Sequence, residues 1–106
     1  RTSDPVEVRI DLDEKPPKIR VDRPRKGKTV VGNRLDVELR VHDDEQVAWV
    51  EIWVGNLRLG PRLEAVREVD RQYDIKRVGR GERVLRIVAA DTSGNETTVE
   101  VPFVKK

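Results

Sequence analysis

The sequence predicts an all-β protein, an antiparallel β-sandwich of about seven short strands. Apolar and polar residues alternate with a period of two in several separate runs, which is the pattern of strands that bury one face. The runs are separated by groups of turn-forming residues such as Gly, Pro, Asp and Asn. A chain of 106 residues is long enough for one two-layer core but not for two independent ones. We therefore expect a single domain built from two packed sheets.

The first alternating runs lie before Pro24. Residues 6–12 alternate apolar and charged positions and stop at two prolines, and Ile19 with Val21 marks a short strand that ends at Pro24 and the loop RKGK. Proline cannot donate a hydrogen bond to a neighbouring strand, so both runs are predicted to be short. We expect residues 1–15 to be either a first strand or a linker from a preceding domain, and residues 16–106 to form the sandwich.

The clearest strand covers residues 35–42, where four apolar side chains face one way and four polar or charged ones the other. After an acidic turn, the next strand is predicted to bury one face made of Ala48, Val50, Ile52 and Val54. Trp49 and Trp53 then point outward together with Glu51, because an unpaired glutamate is rarely buried.

The pattern is weaker from residue 55 to residue 70. Leu57 and Leu59 fit a short edge strand before Gly60 and Pro61. The next apolar residues are spaced by three, which suits a helical turn as well as an irregular edge strand; they are Leu63, Val66 and Val69. We predict a strand here. Tyr73 and Ile75 mark a further strand.

Two strands joined by a tight turn close the sequence. Residues 84–90 and 99–103 alternate on either side of the turn. Asp91 can accept hydrogen bonds from the amides ahead of it, and Gly94 and Asn95 tolerate the positive φ that a reversal needs. These features predict an antiparallel hairpin.

The order of these elements resembles that of bacterial immunoglobulin-like domains, over about residues 16–104. Two motifs carry the resemblance: an acidic turn followed by VAWVEIWVGN, and a Gly-led strand that ends in AADTSGN. The resemblance implies an immunoglobulin-like β-sandwich outside the cytoplasm, whether extracellular, periplasmic or at the cell surface. The chain departs from antibody-type domains because it has no cysteine. The resemblance says little about function, since this fold serves many functions.

The composition argues against an enzyme. The chain has no cysteine and one histidine, His42, which removes cysteine nucleophiles, most zinc chemistry and a Ser-His-Asp triad. No apolar run approaches the roughly 18 residues of a membrane span. The chain begins at Arg1 and contains no methionine, so we expect a module of a larger multidomain protein. Charged residues make up 40% of the chain, a density compatible with a thermophilic source.

The predicted loops separate the charges between two ends of the sandwich. One end, called the acidic end, collects Asp11, Asp13, Glu14, Asp43, Asp44, Glu45, Asp91, Asn95 and Glu96. The other end, called the basic end, collects Arg23, Arg25, Lys26, Lys28, Arg58, Arg62, Lys76, Arg77, Arg80 and Arg83. The formal net charge of +2 is too small to argue for a polyanionic partner. Any argument for such a partner depends on how the charges are distributed over the surface.

Each end suggests a ligand and a simpler alternative. The candidate calcium ligands at the acidic end are Asp13, Asp43, Asp44 and Asp91, since calcium takes six to eight oxygens. We favour the alternative that these side chains cap their own turns, and we expect no cofactor. At the basic end, Arg25, Lys26, Arg77 and Arg80 suit an acidic partner or a neighbouring domain. Nucleic acid is not favoured, because no aromatic residues are interleaved with these cations.

Trp49 and Trp53 form the last candidate site. They lie four residues apart on one strand face, hence about 13 Å apart along it. Such a pair can stack on sugar rings, or it can be covered by Arg86 and contact a neighbouring domain or another protein. We expect a non-catalytic spacer, structural or protein-interaction module, with an accessory carbohydrate-binding module as the alternative.

Overall fold

The computed structural model of the chain describes residues 16–43 and 46–106. The predicted strand at residues 6–12 and part of the acidic turn therefore lie outside the described residues. The described residues form nine strands and no helix. The strands are β1 Lys18–Arg23, β2 Lys28–Val30, β3 Arg34–His42, β4 Val47–Val54, β5 Leu57–Arg58, β6 Leu63–Glu64, β7 Glu68–Asp74, β8 Gly81–Asp91 and β9 Glu96–Lys105.

The strands form two sheets. The three-stranded sheet has the order β1-β3-β7, and the six-stranded sheet has the order β2-β9-β8-β4-β5, with β6 also paired to β4. All pairs are antiparallel except β2 with β9, which is parallel. The all-β sandwich is thus confirmed. There are nine strands rather than about seven, and the strand that was not predicted is β2, which begins inside the predicted loop RKGK.

The two sheets enclose one core, made by the inner positions of the alternating runs. Its members include Leu35, Val37, Leu39, Val50, Ile52, Leu85, Ile87, Val101 and Phe103, all buried, with Val99 partly buried against them. Each fully buried side chain of this size stabilises the fold by about 1.5 to 3 kcal/mol relative to exposure. The alternation predicted for β3, β8 and β9 is confirmed.

Strand β4 departs from simple alternation at its start. Val47 pairs with Asp91, and Trp49 pairs with the next residue of β8, Ala90, so Ala48 is an extra residue in β4. Such a bulge shifts which side chain faces inward. Val47 is 1% exposed and fills the core position predicted for Ala48, which is only partly buried. Beyond the bulge the predicted inner positions of β4 are buried.

The middle region is an edge and not a helical turn. Strands β5 and β6 both pair with β4, so the helical alternative is wrong for the described residues. The strand prediction is confirmed in part: Leu63 lies in β6 and Val69 shares β7 with Tyr73, whereas Val66 and Ile75 lie outside the strands. Ala65 has a φ of 56°, and its amide donates to the carbonyl of Ala48, which turns the chain away from β6. Gly60 lies against the ring of Tyr73 on β7. The segment after β5 thus reaches β7 of the other sheet.

Strand β7 is an edge of the three-stranded sheet and carries a charge on its inner register. Leu35, Val37 and Leu39 are buried on β3, and they pair in turn with Tyr73, Arg71 and Val69. Arg71 therefore occupies an inner position between two apolar ones, yet it is exposed. Inward-facing charges on edge strands discourage pairing with another chain.

Within the described residues, Pro17 and Lys106 lie at opposite ends of the sandwich. The hydroxyl of Thr97, near the start of β9, donates to the carbonyl of Pro17. At the other end of β9, the amide of Lys106 donates to the carbonyl of Val30. Strand β9 is 10 residues long, so these two contacts are separated by about 30 Å.

Candidate interaction surfaces

The outer face of β4 carries two tryptophans, each under an arginine. The guanidinium carbon of Arg62 lies 4.3 Å from the centre of the Trp49 ring, and that of Arg86 lies 5.5 Å from the centre of the Trp53 ring. Arg86 reaches Trp53 because the two residues are directly opposite on β8 and β4. Cation–π contacts of this kind contribute about 0.5 to 2 kcal/mol each.

Glu51 lies between the two tryptophans and joins the contacts. Its carboxylate accepts hydrogen bonds from Trp53 Nε1 at 3.1 Å and from Arg62 Nε at 2.8 Å, and Arg58 Nη1 is 3.6 Å away. The Glu51 side chain is 11% exposed. The hydrogen bond from Arg62 is the main reason that the pKa of Glu51 is lowered. The outward face of β4 is therefore a connected layer of aromatic and charged side chains.

The prediction for this face was incomplete. Trp49 and Trp53 lie on the outer side, as expected, and Arg86 covers one of them. Arg62, however, does not belong to the basic end: Leu63 pairs with Val50, which places Arg62 beside the middle of β4. Arg58 pairs with Trp53 near the end of β4 and lines a groove with Lys76 and Arg77, so it does lie at the basic end. The sequence gives no local signal for the position of Arg62, because it depends on how β6 pairs.

Asp91 organises the turn between β8 and β9. It is 2% exposed, and its carboxylate accepts hydrogen bonds from the amides of Ser93 and Asn95 at 2.9 Å and from Asn95 Nδ2 at 3.1 Å. Burial raises the pKa of Asp91, but these hydrogen bonds and one with Asp43 outweigh burial, so the pKa is lowered overall. Asp91 caps its own turn, as the simpler alternative predicted.

The four candidate calcium ligands are not all placed by the structure. Asp43 and Asp91 are buried at the acidic end, whereas Asp13 and Asp44 lie outside the described residues. Within residues 16–43 and 46–106, no group of three or more acidic or histidine side chains is arranged to hold a metal. Calcium binding therefore stays an untested alternative to turn capping.

The basic end is built from three neighbouring segments. Lys28 and Arg83 both pair with Phe103, from opposite sides of β9, so they lie about 10 Å apart. Arg25 and Lys26 precede Lys28 in the same loop. Lys76, Arg77 and Arg80 lie in the turn between β7 and β8 and Arg34 begins β3, next to Asp74. Arg77 and Arg80 thus share one turn, whereas Arg25 and Lys26 lie in a separate loop, where Arg25 shares a groove with Arg34. That these four side chains form one site stays a prediction.

Arg83 and Lys105 hold the turn between β7 and β8 through hydrogen bonds to backbone carbonyls. Arg83 donates hydrogen bonds to the carbonyls of Gly79, Arg80 and Glu82, each at 2.9 Å. Lys105 is 5% exposed, and its Nζ donates to the carbonyls of Ile75 at 2.8 Å and Val78 at 2.6 Å. Lys105 was not among the predicted site residues, although its position two residues after the inner Phe103 predicts that it faces inward.

Several solved structures share this fold. Fibronectin(III)-like modules of CbhA from Clostridium thermocellum superpose with a TM-score of 0.69 at 18% identity, over 84% of this chain and 96% of that one. The endo-β-1,4-mannanase from Thermotoga petrophila gives 0.65 at 13% identity, over 85% of this chain and 20% of the enzyme. An engineered protein gives 0.61 at 15% identity, over 100% of this chain and 22% of its own.

At these identities the likeness concerns the fold alone. It confirms that the chain is an immunoglobulin-like β-sandwich, similar to a fibronectin(III)-like module. Neither a protein-family model nor a curated protein matches the sequence. Among the described residues there is no helix long and apolar enough to cross a membrane.

Proposed function

We propose that this chain is a non-catalytic module of a larger multidomain protein, where it acts as a rigid spacer and contact domain outside the cytoplasm. The observation that carries the proposal is the position of Pro17 and Lys106 at opposite ends of β9. Pro17 is held at one end of β9 and Lys106 at the other. Neighbouring domains joined at these points would be held about 30 Å apart by a continuous strand.

The similar structures support a modular role. The chain matches 96% of a fibronectin(III)-like module but only 20% of a mannanase chain. A sandwich of this kind is therefore found both as a unit by itself and as one part of a longer enzyme. A match to one fifth of the mannanase chain is what we expect of one module beside other domains.

The side-chain chemistry also supports a non-catalytic role. Glu51 and Asp91 are the described carboxylates whose pKa is lowered. Glu51 is held by Arg62 and Trp53, and Asp91 by Asn95 and Ser93. A catalytic acid or base needs a pKa near the working pH and access to substrate, and neither carboxylate meets this need.

The tryptophan face is the surface that we assign to a neighbouring domain or partner protein. Trp49, Trp53 and Arg86 are partly buried, and aromatic residues with arginine are the residue types enriched in protein interfaces. Sugar stacking is the less favoured use. A sugar ring on the covered face of Trp49 would have to displace Arg62, which is also bound to Glu51.

The spacer role can be tested by a distance measurement. The chain has no cysteine, so Lys18→Cys with Lys106→Cys gives two unique sites for spin labels at the two ends. Pulsed dipolar spectroscopy should give one narrow distribution near about 30 Å. The pair Lys18→Cys with Thr98→Cys is the control and should give a clearly shorter distance. A broad distribution, or equal distances for the two pairs, would rule out the rigid spacer.

A further inference from the structure

We propose that the basic end binds a linear anionic polysaccharide along a continuous track of cationic side chains. This inference goes beyond the spacer role and rests on different residues. The polymer is defined by its chemistry: sugar units that carry carboxylate or sulfate groups at regular intervals.

The track consists of four surface grooves that share residues. A groove of about 640 Å³ is lined by Arg25, Lys28 and Arg34. Arg34 also lines the next groove, of about 480 Å³, together with Lys76. Lys76 and Arg77 line a third groove of about 640 Å³, and Arg77 continues into a fourth of about 720 Å³. The grooves form one path around the end of the sandwich, which suits an extended polymer better than a compact ligand.

The cations of the track are available for a ligand. Within the described residues, Arg25, Lys28, Arg34, Lys76 and Arg77 form no ion pair with a carboxylate. The arginines on the sheet faces differ, since they are paired with carboxylates; these pairs are Arg20 with Asp22, Arg23 with Glu38, Arg40 with Glu68, and Arg58 and Arg62 with Glu51. Three carboxylates line the same grooves, those of Asp36, Asp74 and Glu82, and Asp74 accepts a hydrogen bond from the amide of Lys76. Cationic side chains nevertheless outnumber carboxylates along the grooves, in a chain whose net charge is only +2.

The turn that carries Lys76 and Arg77 is preorganised. Arg83 and Lys105 occupy five carbonyl groups of the turn, those of residues 75, 78, 79, 80 and 82. These two cations are satisfied by carbonyls and not by carboxylates, so their charges add to the positive potential of the end. A preorganised cationic surface loses less entropy when it binds.

The observations favour a polysaccharide over single-stranded nucleic acid and over a second copy of this chain. Single-stranded nucleic acid binds through successive exposed aromatic rings, whereas the one ring along the track is that of Tyr73, which is half-buried against Gly60. A second copy of this chain would have to offer its acidic end. There, Asp43 and Asp91 are buried, which leaves Glu96 as the exposed carboxylate among the described members of the acidic end.

The test is a titration of the whole chain with four polymers. Dextran sulfate and polygalacturonate supply sulfate and carboxylate groups, neutral dextran is the matched uncharged polymer, and oligodeoxythymidylate represents single-stranded nucleic acid. We expect binding to at least one charged polysaccharide and none to neutral dextran. Raising the salt concentration from about 50 to 200 mM should weaken binding by about tenfold or more. Binding of one charged polysaccharide alone would identify the anionic group.

Two triple variants with the same change in net charge locate the site. Arg34→Gln with Lys76→Gln and Arg77→Gln should weaken binding by about tenfold. Lys18→Gln with Arg20→Gln and Arg40→Gln, on the three-stranded sheet, should change it by less than about twofold. Thermal unfolding at the same temperature as the original chain would show that both triple variants are folded.

Three results would overturn the proposal: no binding to either charged polysaccharide, equal loss in the two triple variants, or oligodeoxythymidylate binding as tightly as the polysaccharides. None of them affects the distance measurement that tests the spacer role.

Discussion

Arg62 lies across the ring of Trp49, 4.3 Å from its centre, while its Nε donates to Glu51 at 2.8 Å. One guanidinium group thus joins an aromatic ring on β4 to a carboxylate two residues further along the same strand. The short edge that carries Arg62 is held to the sheet by this contact as well as by the pairing of β6.

The contact predicts coupled effects on stability. Arg62→Ala should lower the free energy of unfolding by about 1 kcal/mol, because a cation–π contact and a hydrogen bond to a charged group are both lost. In a double-mutant cycle with Trp49→Ala, the coupling energy should be about 0.5 to 1 kcal/mol. Urea unfolding measures both. The control is Arg20→Ala, which removes an exposed ion pair and should lower the free energy of unfolding by about 0 to 0.5 kcal/mol. A coupling energy of zero between Arg62 and Trp49 would contradict the assigned contact.

Stability should decrease in acid. Asp91 and Glu51 have ordinary pKa values of 3.8 and 4.5, and both pKa values are lowered in the folded chain. The unfolded state therefore binds protons more readily, so the stabilisation is complete above these ordinary values and is lost as the pH falls through the folded values. Urea unfolding between neutral pH and the acid range measures this loss.

Asp91→Asn tests which group is responsible for the acid sensitivity. The variant keeps a carbonyl oxygen for the amides of Ser93 and Asn95 but cannot titrate, so its stability should depend less on pH than that of the original chain. Asp91→Ala removes the acceptor and should cost about 2 kcal/mol at neutral pH. An unaltered pH profile in Asp91→Asn would show that other groups cause the acid sensitivity.

The side chain of Lys105 should stabilise the fold, whereas that of Lys106 should not. Lys105→Met keeps the length of the side chain but leaves the carbonyls of Ile75 and Val78 without their donor, so the free energy of unfolding should fall by about 1 to 3 kcal/mol. Lys106→Met, at an exposed position, should change it by less than about 0.5 kcal/mol. Equal effects in thermal unfolding of the two variants would be inconsistent with the buried hydrogen bonds.

Arg71 should protect the edge of β7 from self-association. Arg71→Val completes an apolar inner row with Val69 and Tyr73, so the variant should unfold no more easily but associate as its concentration rises. Arg71→Glu keeps a charge on the edge and should stay monomeric. Light scattering over a concentration series distinguishes the two, and a monomeric Arg71→Val at high concentration would count against a protective role.

The parts of the fold that could be predicted are those fixed by local alternation. Leu35 to Val41 and Leu85 to Ala89 alternate within one strand, and the structure buries the predicted side chains. The bulge at Ala48 could not be predicted, because it arises from the pairing of Val47 with Asp91 on another strand. Strand β2 has the same origin, since its three residues become a strand only beside β9.

The same distinction applies to the candidate sites. The outward position of Trp49 and Trp53 could be predicted, because Glu51 lies between them on the same strand face and is rarely buried unpaired. Arg62 could not be assigned to Trp49, because they meet only through the pairing of β6 with β4. Arg58, Lys76 and Arg77 could be grouped at the basic end from their loops, and they line one groove there. The hydrogen bonds of Arg83 and Lys105 could not be predicted, because they depend on the direction of backbone carbonyl groups in the folded turn.

The parallel pairing of β2 with β9 has a mechanical consequence. Tension applied between the two ends of the module would draw Val30 and Lys105, which are register partners, in opposite directions along their strands. The hydrogen bonds between these strands would then be strained together in shear and would not open one after another, so the module should resist stretching before it gives way.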